Sequence, residues 1–319
     1  MTDSHRTCVI LTGPTASGKT PFALALAHPL KGGLINADSM QIYDHLHILT
    51  ARPSAEERRA CNDYALDGVL SGHTKASTGW WVKEAAMTIE SYFKRGLTPI
   101  VVGGTGLYLK SLVEGLSPVP DIPDDIRAFT RNLREIPFEV LKKDLAATFP
   151  YTDFYQDPQR LLRAYEVYLA TGKHIKDFQG MKTPTVRCDF ITIGLLPNRD
   201  ALYKKINERF DMMTKQGALE EVEALLRMNL DPDHPILKAT GVDAIKGYLS
   251  GHYNRQEMTE KGQQHTRQYA KRQVTWMKNQ LVLDFMFDSF SITLEDMTTR
   301  LIEFLEARKT LKTTDNPVE

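Results

Sequence analysis

A glycine-rich segment near the start of the chain contains the residues with the clearest chemical meaning. Gly13, Gly18, Lys19 and Thr20 occupy every fixed position of the pattern Gly-x-x-x-x-Gly-Lys-[Ser/Thr], which is typical of nucleotide- and ATP-binding loops. Glycine permits the tight turn and lets backbone N–H groups approach an anion. We therefore expect this loop to bind phosphate, with Lys19 on the outer oxygens and the Thr20 hydroxyl on Mg²⁺.

An acidic residue suited to act beside this loop follows at Asp38. A nucleotide hydrolase of this class would carry a second strand that ends in a metal-binding acid, yet the apolar runs 100–102 and 190–196 lead into Gly-Gly-Thr and Pro-Asn. Asp38 is the nearest acid after a short apolar stretch, and Ser39-Met40-Gln41 follows it. We expect Asp38 to lie next to the phosphate loop and the following residues to contact substrate.

The elements that would position these groups have the order of a parallel α/β sheet. Strands are predicted at residues 7–12, 34–37, 99–102 and 190–196, and helices at 18–28 and 80–95. Residues 103–106, Gly-Gly-Thr-Gly, form a second glycine-rich turn, and we expect it to bring backbone close to a ligand. Residues 43–72 are interpreted as loops with one short helix near 56–60.

A proline-rich segment marks a predicted domain boundary, because Pro118, Pro120 and Pro123 cannot continue a helix or a central strand. The prediction is an α/β fold whose phosphate-loop core (1–116 and 186–319) is interrupted by a helical insertion domain (117–185). In that insertion Asp157-Pro158 predicts the start of a helix that Gly172 closes. One side of this helix carries Leu161, Leu162, Tyr165 and Leu169. The other side carries Arg160 and Arg163, which form either a solvated charged face or a surface that meets phosphate.

A long helix is predicted from residue 255 to about 283. Residues 261–278 contain five Lys or Arg and no acid. Arg267, Lys271 and Lys278 share one strip of the helix, and Tyr269 and Trp276 point the opposite way. Such a strip indicates either a solvated surface or a polyanionic partner.

Overall composition limits the possible classes of protein. The 319 residues include 40 Lys+Arg and 40 Asp+Glu, so a nucleic-acid surface would need local segregation of charge. Cys8, Cys61 and Cys188 are far apart and indicate reduced thiols. No run approaches the roughly twenty apolar residues of a membrane span. We expect a monomer located in the cytoplasm.

Six segments together resemble the tRNA dimethylallyltransferases, the isopentenyltransferases of tRNA. They occur in the family's order between residue 9 and about residue 280: Gly13-Pro14-Thr15-Ala16-Ser17-Gly18-Lys19-Thr20, Asp38-Ser39-Met40-Gln41-Ile42-Tyr43, Gly103-Gly104-Thr105-Gly106-Leu107-Tyr108, Asp157-Pro158-Gln159-Arg160, Leu202-Tyr203 with Asn207-Glu208-Arg209-Phe210-Asp211, and Thr266-Arg267-Gln268-Tyr269-Ala270-Lys271-Arg272-Gln273.

The resemblance implies transfer of a dimethylallyl group from dimethylallyl diphosphate to the exocyclic amine of the adenine next to the anticodon of tRNA. It implies that Asp38 is the base, that Lys19, Arg209 and Thr20 with Mg²⁺ neutralise the leaving diphosphate, and that Thr15 and Thr105 position diphosphate and base. The implied diphosphate site comprises Gly13, Pro14, Thr15, Ala16, Ser17, Gly18, Lys19 and Thr20. The implied tRNA contacts are Asp38, Ser39, Met40, Gln41, Thr105, Arg127, Gln159, Arg160, Arg163, Arg267, Lys271 and Arg272.

Three other functions compete with this prediction. An adenylate isopentenyltransferase would use free AMP, ADP or ATP as acceptor, a small-molecule kinase would need ATP and an acidic strand end, and a non-catalytic tRNA-binding protein would not need Asp38. The chain also departs from the family at Leu49-Thr50-Ala51-Arg52-Pro53, where Gly-Thr-Ala-Lys-Pro is usual.

Overall fold

Six parallel strands form a single sheet in the computed structural model, which describes residues 6–61 and 63–314. The strand order is β3-β2-β4-β1-β5-β6. The strands are β1 (Thr7–Thr12), β2 (Gly32–Asn36), β3 (Tyr64–Ala65), β4 (Thr98–Val102), β5 (Asp189–Leu195) and β6 (Phe285–Phe287). This arrangement confirms the predicted parallel α/β core.

Thirteen α-helices accompany the sheet in the described part of the chain. They are α1 (Lys19–Ala27), α2 (Ala55–Arg59), α3 (Thr78–Lys94), α4 (Gly106–Glu114), α5 (Asp124–Asn132), α6 (Phe138–Leu145), α7 (Pro158–Thr171), α8 (Ile175–Gln179), α9 (Arg199–Gln216), α10 (Ala218–Arg227), α11 (Val242–Leu249), α12 (Arg255–Gln280) and α13 (Leu294–Thr314). Short 3₁₀ helices lie at Leu133–Glu135, Thr152–Phe154 and Pro235–Lys238. No described helix is long and apolar enough to cross a membrane.

Strand register brings three functional loops to one edge of the sheet. β1 pairs in parallel with β4 and β5, with Val9 opposite both Ile100 and Ile191, and β4 pairs in parallel with β2. The carboxyl ends of parallel strands face the same way, which is where ligands bind in open α/β sheets. The segments after Thr12, Asn36 and Val102 are therefore neighbours.

A buried apolar cluster holds α1 and α13 against the sheet. Phe22 and Leu26 of α1 belong to it together with Leu301 of α13 and strand residues such as Val9. The Phe22 ring meets the Phe287 ring edge-on, with centroids 6.0 Å apart. The strands are continuous apolar runs because both of their faces are covered.

The chain divides into two compact units, one with residues up to Val113 and from Thr185, the other Glu114–Pro184. The predicted boundaries were 117 and 185. The second unit is helical around Phe149, Leu161 and Leu162, and Asp157 caps α7 by accepting the Arg160 N–H at 2.9 Å.

One expectation for α7 was wrong, and another stays a prediction. Arg163 was predicted to belong to a solvated face or to meet phosphate; it is exposed, and its Nη1 is 3.0 Å from Glu166 Oε2. Leu169 was expected to share a side with the buried Leu161 and Leu162, yet it is 40% exposed. The side chain of Glu166 also accepts a hydrogen bond from Thr130 Oγ1 at 2.9 Å, so this acid fixes the arginine to the helix bundle.

Three elements were not predicted, namely β3, β6 and α13. β3 is two residues long within a polar segment, so no alternating pattern marks it. β6 and α13 follow the long helix, which ends at Gln280 rather than near residue 283.

Candidate active site

The phosphate loop runs from the end of β1 to the start of α1. Gly18 adopts φ +88°, a left-handed conformation that favours glycine. A side chain at Gly13 would place its Cβ 2.5 Å from the Leu195 carbonyl oxygen, so β5 leaves room for glycine alone. The loop therefore turns sharply and presents the N-terminus of α1 to the cavity beside it.

Lys19 lies folded back over this loop. Its Nζ donates to the carbonyl oxygens of Gly13 at 3.0 Å and Pro14 at 2.7 Å. Burial lowers the pKa of Lys19 to about 8, partly offset by the Asp38 charge and reinforced by that of Arg209. An anion in the loop would favour the charged ammonium.

A cavity of about 350 Å³ lies against the loop. It is lined by residues 15–20 together with Asp38, Lys205, Arg209 and Gln273. The Ser17 side chain is fully buried, and its Oγ has no hydrogen-bond partner among the described residues. A buried hydroxyl left without a partner is costly, so a bound oxyanion or its metal ion would complete this site.

Asp38 follows β2 at the edge of the sheet. Its Oδ1 accepts the N–H groups of Met40 at 2.9 Å and Gln41 at 3.4 Å, which fixes the carboxylate over its own loop. Oδ2 has no hydrogen bond within residues 6–61 and 63–314. One oxygen therefore anchors the side chain, and the other is available to accept a proton.

Thr105 holds the residue after Asp38. Its Oγ1 accepts the Ser39 N–H at 2.9 Å and lies 3.3 Å from Ser39 Oγ. Asn36, which is fully buried, accepts the Asp38 N–H at 3.0 Å through Oδ1. Thr105 therefore acts on Asp38, the predicted base, through its loop and not by direct contact.

Arg209 connects α9 to the phosphate loop. Its Nη2 donates to Thr15 Oγ1 at 3.1 Å. Burial lowers the pKa of Arg209, and the nearby Asp38 charge opposes this. Because an arginine stays protonated, the site carries a fixed positive charge next to Thr15.

A second cavity of about 230 Å³ adjoins the first. Leu49, Ile206, Phe210 and Met213 contribute apolar walls, whereas Lys238 and Arg272 contribute charge. Thr15, Ala16, Asp38, Thr50 and Arg209 line both cavities. The predicted base and the predicted anion-binding arginine therefore lie where the cavity lined by the phosphate loop meets a partly apolar cavity.

The second glycine-rich turn differs from its prediction. Gly103 reaches the rim of the first cavity. A Cβ at Gly104 would lie 2.2 Å from Gln273 Nε2, and a Cβ at Gly106 would lie 2.1 Å from the Trp276 ring. These two glycines make room for α12 and not for a ligand.

The predicted tRNA contacts have different surroundings. Gln41 donates through Nε2 to the Thr50 carbonyl at 2.9 Å, and Arg267 donates to Asn207 Oδ1 at 2.6 Å. The exposed members are Arg127, Gln159, Arg160, Arg163, Lys271 and Arg272. Of these, Arg127 donates through Nε to the Ile122 carbonyl oxygen at 3.0 Å, and Arg272 also lines the second cavity.

Arg52 lies in residues 49–53, the segment predicted to depart from the family pattern, and forms a buried ion pair. Arg52 Nε lies 3.0 Å from Asp67 Oδ1, Arg58 Nη1 lies 3.0 Å from Asp67 Oδ2, and the Asp67 side chain is wholly buried. Arg52 also donates to the Tyr43 carbonyl at 3.2 Å. Arg52 thus holds the 43–67 loops beside the first cavity.

Sequence reasoning missed several residues that line the first cavity, among them Lys205 and Gln273. Lys205 lies four positions before Arg209, so helical spacing on α9 could have indicated it. Gln273 stands at the end of a segment quoted for the resemblance. Its role depends on contacts with residues far away in sequence, which no local pattern reveals.

The fold and the site define a phosphate-loop α/β protein whose loop adjoins an acid, an arginine and a partly apolar cavity. Sequence and structure comparisons agree on one family. A sequence model described as IPP transferase matches residues 41–280, well over half of the chain. The chain belongs to the IPP transferase family, as the sequence predicted.

Individual relatives support this membership. The chain is 43% identical over 288 residues to a tRNA dimethylallyltransferase of Rhizobium etli, covering 87% of this chain and 95% of that protein. It is 45% identical over 281 residues to the tRNA dimethylallyltransferase of Methylocella silvestris, covering 86% and 92%. The crystal structure of a tRNA delta(2)-isopentenylpyrophosphate transferase from Staphylococcus epidermidis superposes with a TM-score of 0.69 at 30% identity, covering 94% of this chain and 99% of that one.

Proposed function

We propose that this protein transfers the dimethylallyl group of dimethylallyl diphosphate to the N6 amine of the adenine next to the anticodon of tRNA. One observation carries the proposal: Asp38, Thr15 and Arg209 line both the phosphate-loop cavity and the partly apolar cavity. Family membership supplies the class of reaction, since relatives that cover most of the chain are named for it.

The donor diphosphate belongs in the first cavity. The N-terminus of α1, Lys19, Arg209 and Lys205 provide positive charge there, and the Ser17 hydroxyl has no hydrogen-bond partner in the described part of the chain. The dimethylallyl group would extend into the second cavity, where Phe210 and Met213 give apolar contact. Burial of the arginine strengthens its interaction with the anion.

The site also suits Mg²⁺. Thr20 lies in the first turn of α1 and lines the first cavity, and hydroxyl and diphosphate oxygens are the ligands that Mg²⁺ prefers. The described residues contain no group of three or more His, Cys, Asp or Glu placed to hold a metal ion, so diphosphate oxygens would complete the coordination. Bound Mg²⁺ would stabilise negative charge on the leaving diphosphate.

Asp38 is the proposed base. The adenine N6 lone pair attacks C1 of the dimethylallyl group while the bond between C1 and the diphosphate oxygen breaks. The amine proton passes to the free oxygen of Asp38, and diphosphate leaves with both bonding electrons. Lys19 and Arg209 stabilise the charge that develops on the leaving group. The products are the N6-substituted adenine, diphosphate and a proton.

The acceptor is proposed to be tRNA and not a free adenine nucleotide. Lys271, Arg272 and Lys278 are exposed on α12, a helix with no acid from residue 261 to its end. A free nucleotide needs no such surface, and relatives of this chain are named for tRNA. The target base must leave its stack to reach Asp38. Action on tRNA is consistent with the cytoplasmic location predicted from the sequence, and the monomeric state stays a prediction.

Transfer from labelled dimethylallyl diphosphate tests the proposal directly. The protein should label an unmodified tRNA with adenine next to the anticodon, in a reaction that depends on Mg²⁺. A matched tRNA with guanine at that position should remain unlabelled, as should AMP. Labelling of AMP but not of tRNA would establish the adenylate isopentenyltransferase alternative, and labelling of neither would remove the proposed function.

A further inference from the structure

Gln273 is a buried polar residue on α12, a helix that also carries exposed basic residues. Its side chain is 8% exposed, whereas Lys271 and Arg272 beside it are exposed. Oε1 accepts the Thr15 N–H at 2.8 Å, and Nε2 donates to the Gly104 carbonyl at 3.1 Å. One amide therefore joins the phosphate loop to the second glycine-rich turn, 258 and 169 positions away in sequence.

The two contacts of Gln273 lead to opposite halves of the site. Thr15 accepts a hydrogen bond from Arg209, which faces the diphosphate cavity. Gly104 precedes Thr105, which holds Ser39 and with it the loop of Asp38. The Gln273 amide therefore connects the anion-binding half of the site to the half that contains Asp38.

The glycine at position 104 is explained by this amide. A Cβ there would lie 2.2 Å from Gln273 Nε2 and 3.1 Å from the Gly13 carbonyl oxygen. Both turns therefore approach each other closely, and the only side chain that bridges Thr15 and Gly104 among the described hydrogen bonds is Gln273.

We propose that Gln273 is a positioning residue for prenyl transfer: it sets the distance between the leaving diphosphate and Asp38. This inference rests on the proposed function. Displacement at C1 requires the leaving oxygen, C1, N6 and the base to be aligned, and a misplacement of about 1 Å can cost about 100-fold in rate. Gln273 touches neither reacting atom in this scheme and acts through Thr15 and Thr105.

Q273M tests the proposal, because methionine has a similar shape and makes neither hydrogen bond. We expect kcat at saturating donor and tRNA to fall about 10- to 100-fold, with tRNA affinity within twofold of wild type. Assays should be run well below the melting temperature, and circular dichroism should verify that the variant is folded. The control is Q264M, an exposed glutamine on the same helix, which should change nothing.

Q273E separates the two contacts and tests positioning without dependence on Q273M. A carboxylate can still accept the Thr15 N–H but cannot donate to Gly104, whereas a protonated carboxyl can do both. The ratio of the Q273E rate to the wild-type rate should therefore rise as the pH is lowered from about 8 to about 6, since burial raises a carboxyl pKa. Because ionisation of a buried carboxyl can also destabilise the fold or repel diphosphate, circular dichroism at each pH should verify that Q273E is folded, and the donor should be saturating throughout.

The proposal is overturned if folded Q273M keeps kcat within twofold of wild type, or if the Q273E ratio is flat with pH. Wild-type protein that labels neither tRNA nor AMP would instead contradict the proposed function, so the two failures are distinguishable.

Discussion

Two glycine-rich turns leave neighbouring strands at the same edge of the sheet, yet they do different things. The turn after β1, residues 13–20, opens on a cavity of about 350 Å³. The turn after β4, residues 103–106, is mostly closed by Ala37, Gln273 and Trp276. Glycine spacing thus predicts where the backbone makes a close approach. It does not predict whether the backbone approaches a ligand or another part of the protein.

The largest expected effect concerns the acid whose loop the second turn supports. Asp38→Asn keeps an oxygen that can accept the Met40 N–H but removes the base, so kcat should fall about 10²- to 10⁴-fold. Diphosphate and tRNA affinities should stay near wild type in equilibrium titrations. Asp200→Asn, at an exposed position on α9, is the control. Near-normal turnover of Asp38→Asn would exclude it as the base.

Alanine in each turn tests the comparison itself. Gly104→Ala should displace Gln273 and lower kcat by about tenfold or more, with donor KM little changed. Gly18→Ala has open space around its Cβ but a φ of +88°, which costs about 1–2 kcal/mol for alanine, and it should mainly raise donor KM. Steady-state kinetics with varied donor would measure both. If the two variants show the same split between kcat and KM, the turns do not have separate roles.

Lys19 in the first turn also predicts that donor affinity depends on pH. Because the pKa of Lys19 is lowered to about 8, the ligand-free protein loses this positive charge above that pH. Bound diphosphate favours the charged form, so donor affinity should be level below about pH 8. Above it, affinity should fall by up to about tenfold per pH unit. Titration calorimetry with the donor at several pH values would measure this.

Lys19→Arg is the matched variant for this measurement, since arginine keeps its charge throughout the range. Its donor affinity should be nearly independent of pH between about 8 and 10, whatever its absolute value. The same slope in Lys19→Arg and wild type would assign the pH dependence to another group.

The smallest expected effect is on tRNA binding by the exposed basic residues of α12, which lie on the same helix as the buried Gln273. Lys271→Ala should weaken tRNA binding and reduce the slope of log K against log salt by roughly 0.7–0.9. Arg163→Ala should change the slope less, because its guanidinium is already paired with Glu166. Filter binding at several salt concentrations would measure both, with Lys94→Ala on α3 as the exposed control. An unchanged slope for Lys271→Ala would indicate a solvated surface.

Local patterns predicted the parts of the site that depend on neighbouring residues. The phosphate loop, α1 and the position of Asp38 after β2 each follow from a short segment. The resemblance supplied Thr15 and Arg209 as site residues but not the hydrogen bond between them. Neither the patterns nor the resemblance supplied the link through Gln273, because it joins residues brought together only by the folded sheet. The sequence contains no signal for which partner a glycine approaches.

One element could have been predicted and was not. Helix α13 begins after Thr293, whose Oγ1 accepts the Asp296 N–H at 3.1 Å. Met297, Leu301 and Leu305 recur every four positions and are buried. This is the capping and spacing of an amphipathic helix. Strand β3, by contrast, is held by pairing of Tyr64 with Leu34 and has no pattern of its own.

The links between the phosphate loop and distant parts of the chain have a consequence for folding during synthesis. Thr15 is bound by Gln273, and the Ser17 carbonyl accepts the Ser289 hydroxyl at 2.6 Å, from 272 positions away. β1 is also flanked by β4 and β5, which the ribosome makes much later. Contacts so distant in sequence form slowly, and an early apolar strand stays exposed until its partners emerge. The phosphate loop is therefore among the first segments to be synthesised and among the last to reach its final geometry.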